Sequence, residues 1–195
     1  MKYRTILLFG APGSGKGTQG KILGAIPGFY HLACGDIFRR LNAESELGRL
    51  FLSYSSRGEL VPDEPVIRLW REHLESATRD GHFDPATDTL VLDGIPRNPN
   101  QARILAPSLD VRVVLYLGCS DPDKMVLRLQ RRALLENRLD DAQAGVIRKR
   151  LEIFEAESKP VLDYYGPDLR RDIDAMQTPI QVLRDVLHAI EGRIG

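Results

Sequence analysis

The stretch GAPGSGKGT, residues 10–18, is the strongest indication of the fold in this chain. It follows the apolar run TILLF, residues 5–9, which is typical of a buried strand, and it precedes residues 19–23, which can begin a helix. A strand, a glycine-rich turn and a helix in this order form the kind of loop that wraps around a phosphate chain. The sequence therefore predicts a phosphate-binding loop at residues 10–18.

This loop has the groups that a phosphate chain requires. Its glycines let successive backbone N–H groups point inward at an anion, and the helix that follows adds the positive end of its dipole. Lys16 adds a full positive charge, and the hydroxyl of Thr18 is a candidate Mg²⁺ ligand. The general pattern G-x-x-x-x-G-K-[ST] is met except at its last position, where Gly17 stands and the hydroxyl follows one residue later. The motif predicts a phosphate site and leaves the reaction open.

The composition limits the class of protein. A chain of 195 residues fits one domain with a substantial core. The formal net charge is zero, so nothing in it points to a nucleic acid or a membrane surface as a partner. The two cysteines, Cys34 and Cys119, lack metal-ligand spacing and fit a reducing compartment. We expect a cytoplasmic protein, because the sequence shows no signal peptide and no apolar run long enough to span a bilayer.

Apolar runs alternate with helical segments along the chain. Continuous apolar runs are typical of parallel strands covered on both faces, and the segments between them are long enough for crossover helices. This alternation predicts an α/β fold, a three-layer α/β/α sandwich around a parallel sheet of five strands. The predicted strands lie at residues 5–9, 29–32, 89–93, 111–117 and 171–174.

Helices are predicted between these strands. Residues 46–54 read as a helix, and a second helix follows with Asp63 as its N-cap and Pro65 near its start. A basic helix at residues 123–136 is interrupted at 137–141 and resumes to about residue 157. An amphipathic helix at residues 179–190 closes the chain.

Arginines accompany the predicted strand ends. The stretch DGIPR, residues 93–97, follows the third strand, and GDIFR, residues 35–39, follows the second, so both lie at the carboxyl edge of the sheet, where ligands bind. Asp93 is positioned there to hold Mg²⁺ through a water molecule. With Arg132, Arg138 and Arg150, the arginines number five, more than one nucleotide requires. Such a set is expected where two phosphorylated substrates are held in line for transfer of a phosphoryl group.

Taken together, these motifs resemble those of the nucleoside monophosphate kinases and, among them, the adenylate kinase family in its short-lid form. The resemblance covers nearly the whole chain. Family membership implies Mg²⁺-dependent transfer of the γ-phosphoryl group of ATP to a nucleoside monophosphate, and for an adenylate kinase ATP and AMP give two ADP. The resemblance rests on residues 10–18, HLACGD (31–36), GELVPD (58–63), LDGIPR (92–97), Gln101, RLDD (138–141) and RL (150–151).

The resemblance also implies roles for individual residues. The residues acting on the transferring phosphoryl group would be Lys16, Arg97, Arg132, Arg138 and Arg150. ATP would be bound by Gly13, Ser14, Gly15, Lys16, Gly17, Thr18, Arg128, Arg132 and Gln177. The monophosphate would be bound by Cys34, Arg39, Glu59, Leu60, Val61, Gly94, Ile95, Pro96, Arg97, Gln101, Arg138 and Arg150, with the Gln101 amide reading the adenine edge. Mg²⁺ would be held by Thr18 and, through water, by Asp93.

The same resemblance implies how the single domain, residues 1–195, is organised. The core would comprise residues 1–33, 63–131 and 139–195. A helical insertion at about residues 34–62 would bind the monophosphate, and a short lid would span about residues 132–138. No structural zinc is expected, because two cysteines cannot form a cysteine-rich zinc lid. The family implies a monomer whose partners are ATP, AMP and ADP.

Several positions depart from the family pattern. Cys34 stands where adenylate kinases have Thr and pyrimidine kinases have Ala, and Asn98 also resembles the pyrimidine enzymes, whereas Gln101 favours adenine. We therefore expect AMP as acceptor, with a UMP/CMP or broad-specificity kinase as the alternative. Residues 133–145 differ from the usual lid sequence, which leaves a nucleotide-binding regulatory protein of low turnover as an alternative of another class. The interval from Arg138 to Arg150 is one residue longer than usual, so Arg148 is an alternative to Arg150.

Overall fold

A computed structural model describes residues 2–136 and 143–194 of the chain. Strands and helices alternate along it, as the apolar runs predict. The strands are β1 (Tyr3–Phe9), β2 (Phe29–Ala33), β3 (Thr89–Asp93), β4 (Leu109–Gly118) and β5 (Arg170–Asp174). The helices are α1 (Lys16–Leu23), α2 (Cys34–Arg39), α3 (Glu46–Ser55), α4 (Asp63–Arg79), α5 (Pro99–Leu105), α6 (Pro122–Glu136), α7 (Ala144–Ile153), α8 (Val161–Tyr165) and α9 (Pro179–Ile190), with a π-helical turn at Phe154–Ser158.

The five strands form one parallel sheet in the order β2-β3-β1-β4-β5. The central strand β1 pairs with β3 on one side and with β4 on the other. The chain leaves β1 toward β2 and leaves β3 toward β4, so these two crossovers run in opposite directions, and the carboxyl ends of β1 and β3 lie side by side. In open parallel sheets this is where ligands bind. The α/β fold with a five-stranded parallel sheet is confirmed.

Both faces of the sheet are buried, which explains why the strands read as continuous apolar runs rather than alternating ones. Along β1, Leu7 and Phe9 join a core that contains Trp70 and Leu74 of α4. The intervening residues Ile6 and Leu8 face the opposite core, built with α1 and α9. The sheet is therefore held between two helical layers, as the three-layer prediction requires.

The boundaries of several elements differ from the predicted ones. β3 and α9 begin and end where the sequence predicts, whereas β1 and β4 are longer. The prediction that Asp63 is an N-cap is wrong, because α4 begins at Asp63 itself and Pro62 occupies the capping position. The predicted helix to residue 157 is regular only to Ile153 and then passes into the π-helical turn. Among the described residues, no helix has the length and apolar character needed to cross a membrane.

Candidate active site

A cavity of about 490 Å³ opens at the carboxyl ends of β1, β2 and β3. Its floor is the loop before α1, and its walls come from α2, α3 and the residues after it, the loop after β3, α6, α7 and the π-helical turn. Most of the residues that sequence reasoning assigned to the site line this one cavity. They are Gly13, Gly15, Lys16, Gly17, Thr18, Arg39, Glu59, Leu60, Val61, Asp93, Gly94, Pro96, Arg97, Arg128, Arg132 and Arg150.

The loop before α1 has the shape that the glycine motif predicts. Gly15 adopts the left-handed conformation, with φ of 95°, at the position that starts α1. The first N–H groups of α1, at Lys16 and Gly17, have no acceptor within the helix, so they are available to an anion in the cavity. Ser14 differs from the other loop residues, because its side chain is buried and its N–H donates to Ala11 O at 3.1 Å.

Lys16 is held against the loop by main-chain oxygens. Its Nζ donates to Gly10 O at 2.7 Å and to Ala11 O at 3.0 Å. Burial lowers the pKa of Lys16 to about 8; Asp93 opposes this shift, and the three arginines near it, Arg97, Arg132 and Arg150, add to it. A protonated Lys16 is therefore costly to maintain among these cations, and a phosphate chain would stabilise it.

Asp93 and Thr18 carry side-chain oxygens that could serve a divalent cation. Both line the cavity, and a Cβ added at Gly17 would lie 3.6 Å from Asp93 Oδ2. No group of three or more His, Cys, Asp or Glu side chains that could hold a metal occurs within residues 2–136 and 143–194. One carboxylate and one hydroxyl fit Mg²⁺, because this cation keeps several waters and takes the remaining ligands from substrate phosphates.

The cavity is strongly basic. Seven Lys and Arg side chains line it, against three Asp and Glu, among the residues that the structure describes. Arg39 on α2 forms an ion pair with Asp36 at 3.0 Å, and Arg97 donates from Nε to Gly94 O at 2.9 Å. These contacts hold both guanidinium groups at the cavity wall, and a guanidinium is a planar set of N–H donors suited to phosphate oxygens. The charge excess favours a ligand with several negative charges.

The predicted ATP-binding arginines lie on α6. Arg128 and Arg132 are one helical turn apart, and both line the cavity. Arg128 Nη1 donates to Ala175 O at 2.9 Å, which joins α6 to the loop after β5. Gln177 lies in that loop but does not line the cavity, and its side-chain amide donates to Asp185 Oδ2 at 2.8 Å. Any contact of this segment with a nucleotide would therefore involve its backbone.

Of the two alternatives for the last arginine, only Arg150 lines the cavity; Arg148 on the same helix is exposed. Arg138, which the resemblance implies as a clamp on the phosphoryl group, lies outside the described residues.

The segment between α3 and α4 forms the rim on the monophosphate side. Glu59 lies in the cavity wall and accepts from Arg57 Nε at 2.9 Å. This hydrogen bond lowers the pKa of Glu59, so the carboxylate is charged at neutral pH. Leu60 and Val61 add an apolar surface beside it. A charged group followed by apolar ones suits a ribose and a base rather than a second phosphate.

Cys34, Ile95 and Gln101 do not line the cavity, although residues on both sides of Cys34 do. Cys34 is 3% exposed, and burial raises the pKa of its thiol to about 11. The thiol is therefore neutral and a weak hydrogen-bonding group. Ile95 is buried and joined to Pro96 by a cis peptide bond.

Gln101 is buried in a hydrogen-bond network that sequence reasoning missed. Its Oε1 accepts from the backbone N–H of Arg97 at 2.7 Å, and its Nε2 donates to Asp63 Oδ1 at 2.8 Å. Asp63 also accepts from Asn98 and Asn100. The sequence does show three amide side chains close together at the start of α5. The carboxylate that accepts their hydrogen bonds is 35 or more residues earlier in the chain, so the sequence does not connect them.

Comparison with known proteins agrees with this site. The family model described as Adenylate kinase matches residues 8–169 of the chain. This range includes the glycine loop and all four arginines predicted for the monophosphate, Arg39, Arg97, Arg138 and Arg150.

Curated relatives match over most of their length. The chain is 35% identical to an adenylate kinase of Parabacteroides distasonis over 166 residues, which are 82% of this chain and 83% of that protein. It is 34% identical to an adenylate kinase of Thermobifida fusca over 195 residues, 96% of this chain and 98% of that protein. It is 31% identical to an adenylate kinase of Streptomyces coelicolor over 220 residues, 95% and 98% of the respective chains.

Proposed function

The chain belongs to the adenylate kinase family, and we propose that it transfers the γ-phosphoryl group of ATP to AMP, giving two ADP. The observation that carries the proposal is the composition of the cavity. One continuous space is lined by the phosphate-binding loop and also by Arg39, Arg97, Arg132 and Arg150. Two phosphorylated groups can therefore meet in it, which a hydrolase of one nucleotide does not require.

On the ATP side, the loop and α6 supply the contacts. The N–H groups at the start of α1 and the Lys16 ammonium bind the outer phosphates, and Arg128 and Arg132 approach from α6. Ser14 contributes through the shape of the loop, because its hydroxyl is buried. The backbone around Gln177, which Arg128 holds near the cavity through Ala175, borders the adenine.

On the AMP side, Arg39 and Arg97 bind the phosphate by paired N–H donors. The rim formed by Glu59, Leu60 and Val61 and the loop with Gly94 and Pro96 border the ribose and base. Arg150 and Arg132, together with Arg138, stabilise the charge that develops on the transferring phosphoryl group. Catalysis of this kind depends on position and electrostatics, because the protein forms no covalent bond to the phosphoryl group.

Mg²⁺ fits the donor set at the loop: the Thr18 hydroxyl would hold it directly, and the Asp93 carboxylate would hold it through water. When bound, the cation shields the phosphate charges and orients them. Asp93 has a second effect, since it favours the charged form of Lys16.

We further propose that residues 34–62 act as the monophosphate-binding insertion and residues 132–138 as a short lid. Supporting this, the cavity takes its walls from α2, α3, α6 and α7, so movement of these segments would change its access to water. Exclusion of water matters here, because water in the site would divert transfer into hydrolysis of ATP. We place the activity in the cytoplasm and in a monomer; the free cysteines Cys34 and Cys119 suit a reducing compartment.

The test is a coupled assay of the purified protein with Mg²⁺-ATP and AMP, CMP, UMP or GMP in turn. ADP formation that depends on AMP and exceeds the rate with the other acceptors is the expected result. Equal or faster turnover with CMP or UMP would show that the protein is a pyrimidine or broad-specificity monophosphate kinase rather than one selective for AMP. Binding of ATP without turnover of any acceptor would favour a regulatory nucleotide-binding protein.

One observation favours the pyrimidine or broad-specificity alternative. Both polar groups of Gln101 already have partners in Arg97 and Asp63, so the amide has fewer bonding positions left for an adenine edge. The neutral Cys34 thiol contributes little to compensate. The ratio of the rates with AMP and CMP in the same assay decides between the two.

A further inference from the structure

The carboxylate of Asp63 joins two chain segments that border the monophosphate side of the cavity. Asp63 begins α4, directly after the rim residues 59–61, and its partners lie at the start of α5, directly after Arg97. Three side-chain amides donate to it. The distances are 2.9 Å from Asn98 Nδ2 and 2.8 Å from Gln101 Nε2 to Oδ1, and 2.7 Å from Asn100 Nδ2 to Oδ2.

These bonds dominate the environment of the carboxylate. Burial by itself would raise the pKa of Asp63, but the three hydrogen bonds outweigh burial and hold that pKa below its usual value. The side chain is therefore charged at neutral pH and accepts strong, charge-assisted hydrogen bonds. Both oxygens of the Asp63 carboxylate accept from these amides, so the side chain does not cap α4.

The network fixes the direction of the Gln101 amide. An amide presents a donor on one side and an acceptor on the other, and the two could exchange places by rotation. Because Asp63 accepts only, the Nε2 group of Gln101 must face it, and Oε1 is then directed at the backbone N–H of Arg97. Gln101 is 1% exposed, so water offers no replacement partner.

Arg97 is thereby held at two points, one on its backbone and one on its side chain. Gln101 Oε1 binds its N–H, and its own guanidinium Nε donates to Gly94 O. If Asp63 lost its carboxylate, Gln101 would be free to rotate, and the N–H of Arg97 would lose its acceptor. A partly buried N–H that loses its acceptor is destabilising, so this loop would rearrange.

We propose that Asp63 is a positioning residue for the monophosphate: through Gln101 it sets the place of Arg97, and it fixes the orientation of the amide that the family resemblance assigns to the base. The proposal rests on the proposed function, since it assumes that Arg97 binds the acceptor phosphate. The effect should reach the acceptor and leave ATP binding intact, because the loop at residues 10–18 has no part in the network.

The test compares Asp63→Ala, Asp63→Asn and Glu64→Ala by steady-state kinetics with each substrate varied in turn. Glu64 is the matched control, because it also places an acid in the first turn of α4 but is exposed on that helix. Unlike Asp63, it has no hydrogen bond to residues 97–101 within the described part of the chain. We expect Asp63→Ala to raise KM for AMP about tenfold, as for loss of a charged hydrogen-bond partner. KM for ATP should change less than about twofold.

Asp63→Asn keeps the shape of the side chain and one acceptor oxygen, so it should raise KM for AMP about threefold. This milder variant still tests the inference if the alanine variant fails to fold. Glu64→Ala should leave both constants at the wild-type values. The preference for AMP over CMP, as a ratio of kcat/KM, should fall with the Asp63 variants only.

Two results would overturn the inference while leaving the proposed function intact. One is wild-type KM for AMP in a folded Asp63 variant. The other is an equal rise of KM for AMP and ATP, which indicates a general structural loss. If the wild-type chain itself fails to phosphorylate AMP, the proposed function is overturned, and this inference with it.

Discussion

The loop at residues 10–18 holds its lysine through bonds between near neighbours in the chain, whereas the opposite side of the cavity depends on bonds between distant residues. Lys16 is bound by the carbonyls of Gly10 and Ala11, six and five residues away. Asp63 is bound by amides 35 to 38 residues away. The first arrangement is encoded in one short motif, and the second exists only after α4 and α5 have packed together.

This difference has a consequence for substitution. The loop works through main-chain groups, so its function depends on a few residues that permit one backbone shape. The monophosphate side works through side chains whose partners can be exchanged one at a time. Changes on the loop side should therefore remove activity, and changes on the monophosphate side should alter selectivity and affinity first.

The largest effect is expected from Lys16→Met. The substitution keeps an unbranched side chain but removes the positive charge directed at the phosphates, and we expect kcat to fall by about 10³-fold. Steady-state kinetics with saturating AMP measures the loss, and Lys124→Met, on an exposed lysine paired with Asp121, is the control. A variant with more than a tenth of the wild-type kcat would show that the loop binds phosphate without stabilising its transfer.

The second largest effect is expected from Arg97→Ala, on the monophosphate side of the cavity. We expect kcat/KM for AMP to fall by about 10²-fold, since a bidentate phosphate contact is lost. The dissociation constant of ATP, measured by calorimetry, should stay within about twofold, because Arg97 is bound to Gly94 and Gln101 and makes no hydrogen bond to residues 10–18 within the described part of the chain. Arg103→Ala, exposed on α5, serves as the control. Equal weakening of ATP binding would contradict the division of the cavity into two sides.

Features that depend on residues close together in the chain could be predicted from the sequence, and features that depend on distant residues could not. The strands, α9 and the phosphate loop could be predicted, because each depends on residues that are adjacent in the chain: apolar runs, a Thr178–Gln181 capping box and a glycine motif. The placement of Arg39, Arg97 and Arg150 around one cavity follows from strand ends and from the family resemblance.

The hydrogen bonds of Gln101 to Arg97 and Asp63 could not be predicted in this way. The sequence shows an amide suited to adenine, but whether it faces the cavity depends on Asp63, whose own pattern resembles a helix cap. The buried state of the Cys34 thiol and the contact between the α3–α4 turn and α7 likewise arise from packing between distant segments.

The contact between the α3–α4 turn and α7 lies at Gly58, beside Arg150. Gly58 has φ of +72°, and a Cβ there would lie 2.8 Å from Val146 O and 3.0 Å from Arg150 Cγ. Gly81 has nearly the same φ, +74°, with nothing within 4 Å of an added Cβ. Gly58→Ala and Gly81→Ala therefore share the backbone strain and differ only in the contact.

We expect Gly58→Ala to displace α7 and with it Arg150, which should lower kcat about tenfold. Gly81→Ala should keep kcat within about twofold while losing stability of about 1 kcal/mol in urea unfolding. If both variants lose stability equally and both keep kcat, Arg150 is positioned independently of the monophosphate rim.

The smallest effect concerns His31, which lies beneath the loop helix rather than in the cavity. Its ring packs against Gly20 of α1, and its Cβ lies beside Gly24 just after that helix. Its buried Nε2 has no hydrogen-bond partner among the residues described. Burial lowers the pKa of His31 below 6.5; Asp93 and Asp36 oppose this shift, and Lys21 adds to it. The unfolded chain therefore binds a proton that the folded chain resists.

Stability contributed by the neutral imidazole is present above pH 6.5 and is lost as the pH falls from there through the lower pKa of the folded state. The midpoint of urea unfolding should fall by roughly a few tenths of a molar more in the wild type than in His31→Gln between about pH 7.5 and about pH 5.5. His82→Gln, on an exposed histidine, should retain the wild-type dependence. An unchanged pH dependence in His31→Gln would show that the ring accepts a proton without disturbing α1, and the loop would then tolerate a charge beneath it.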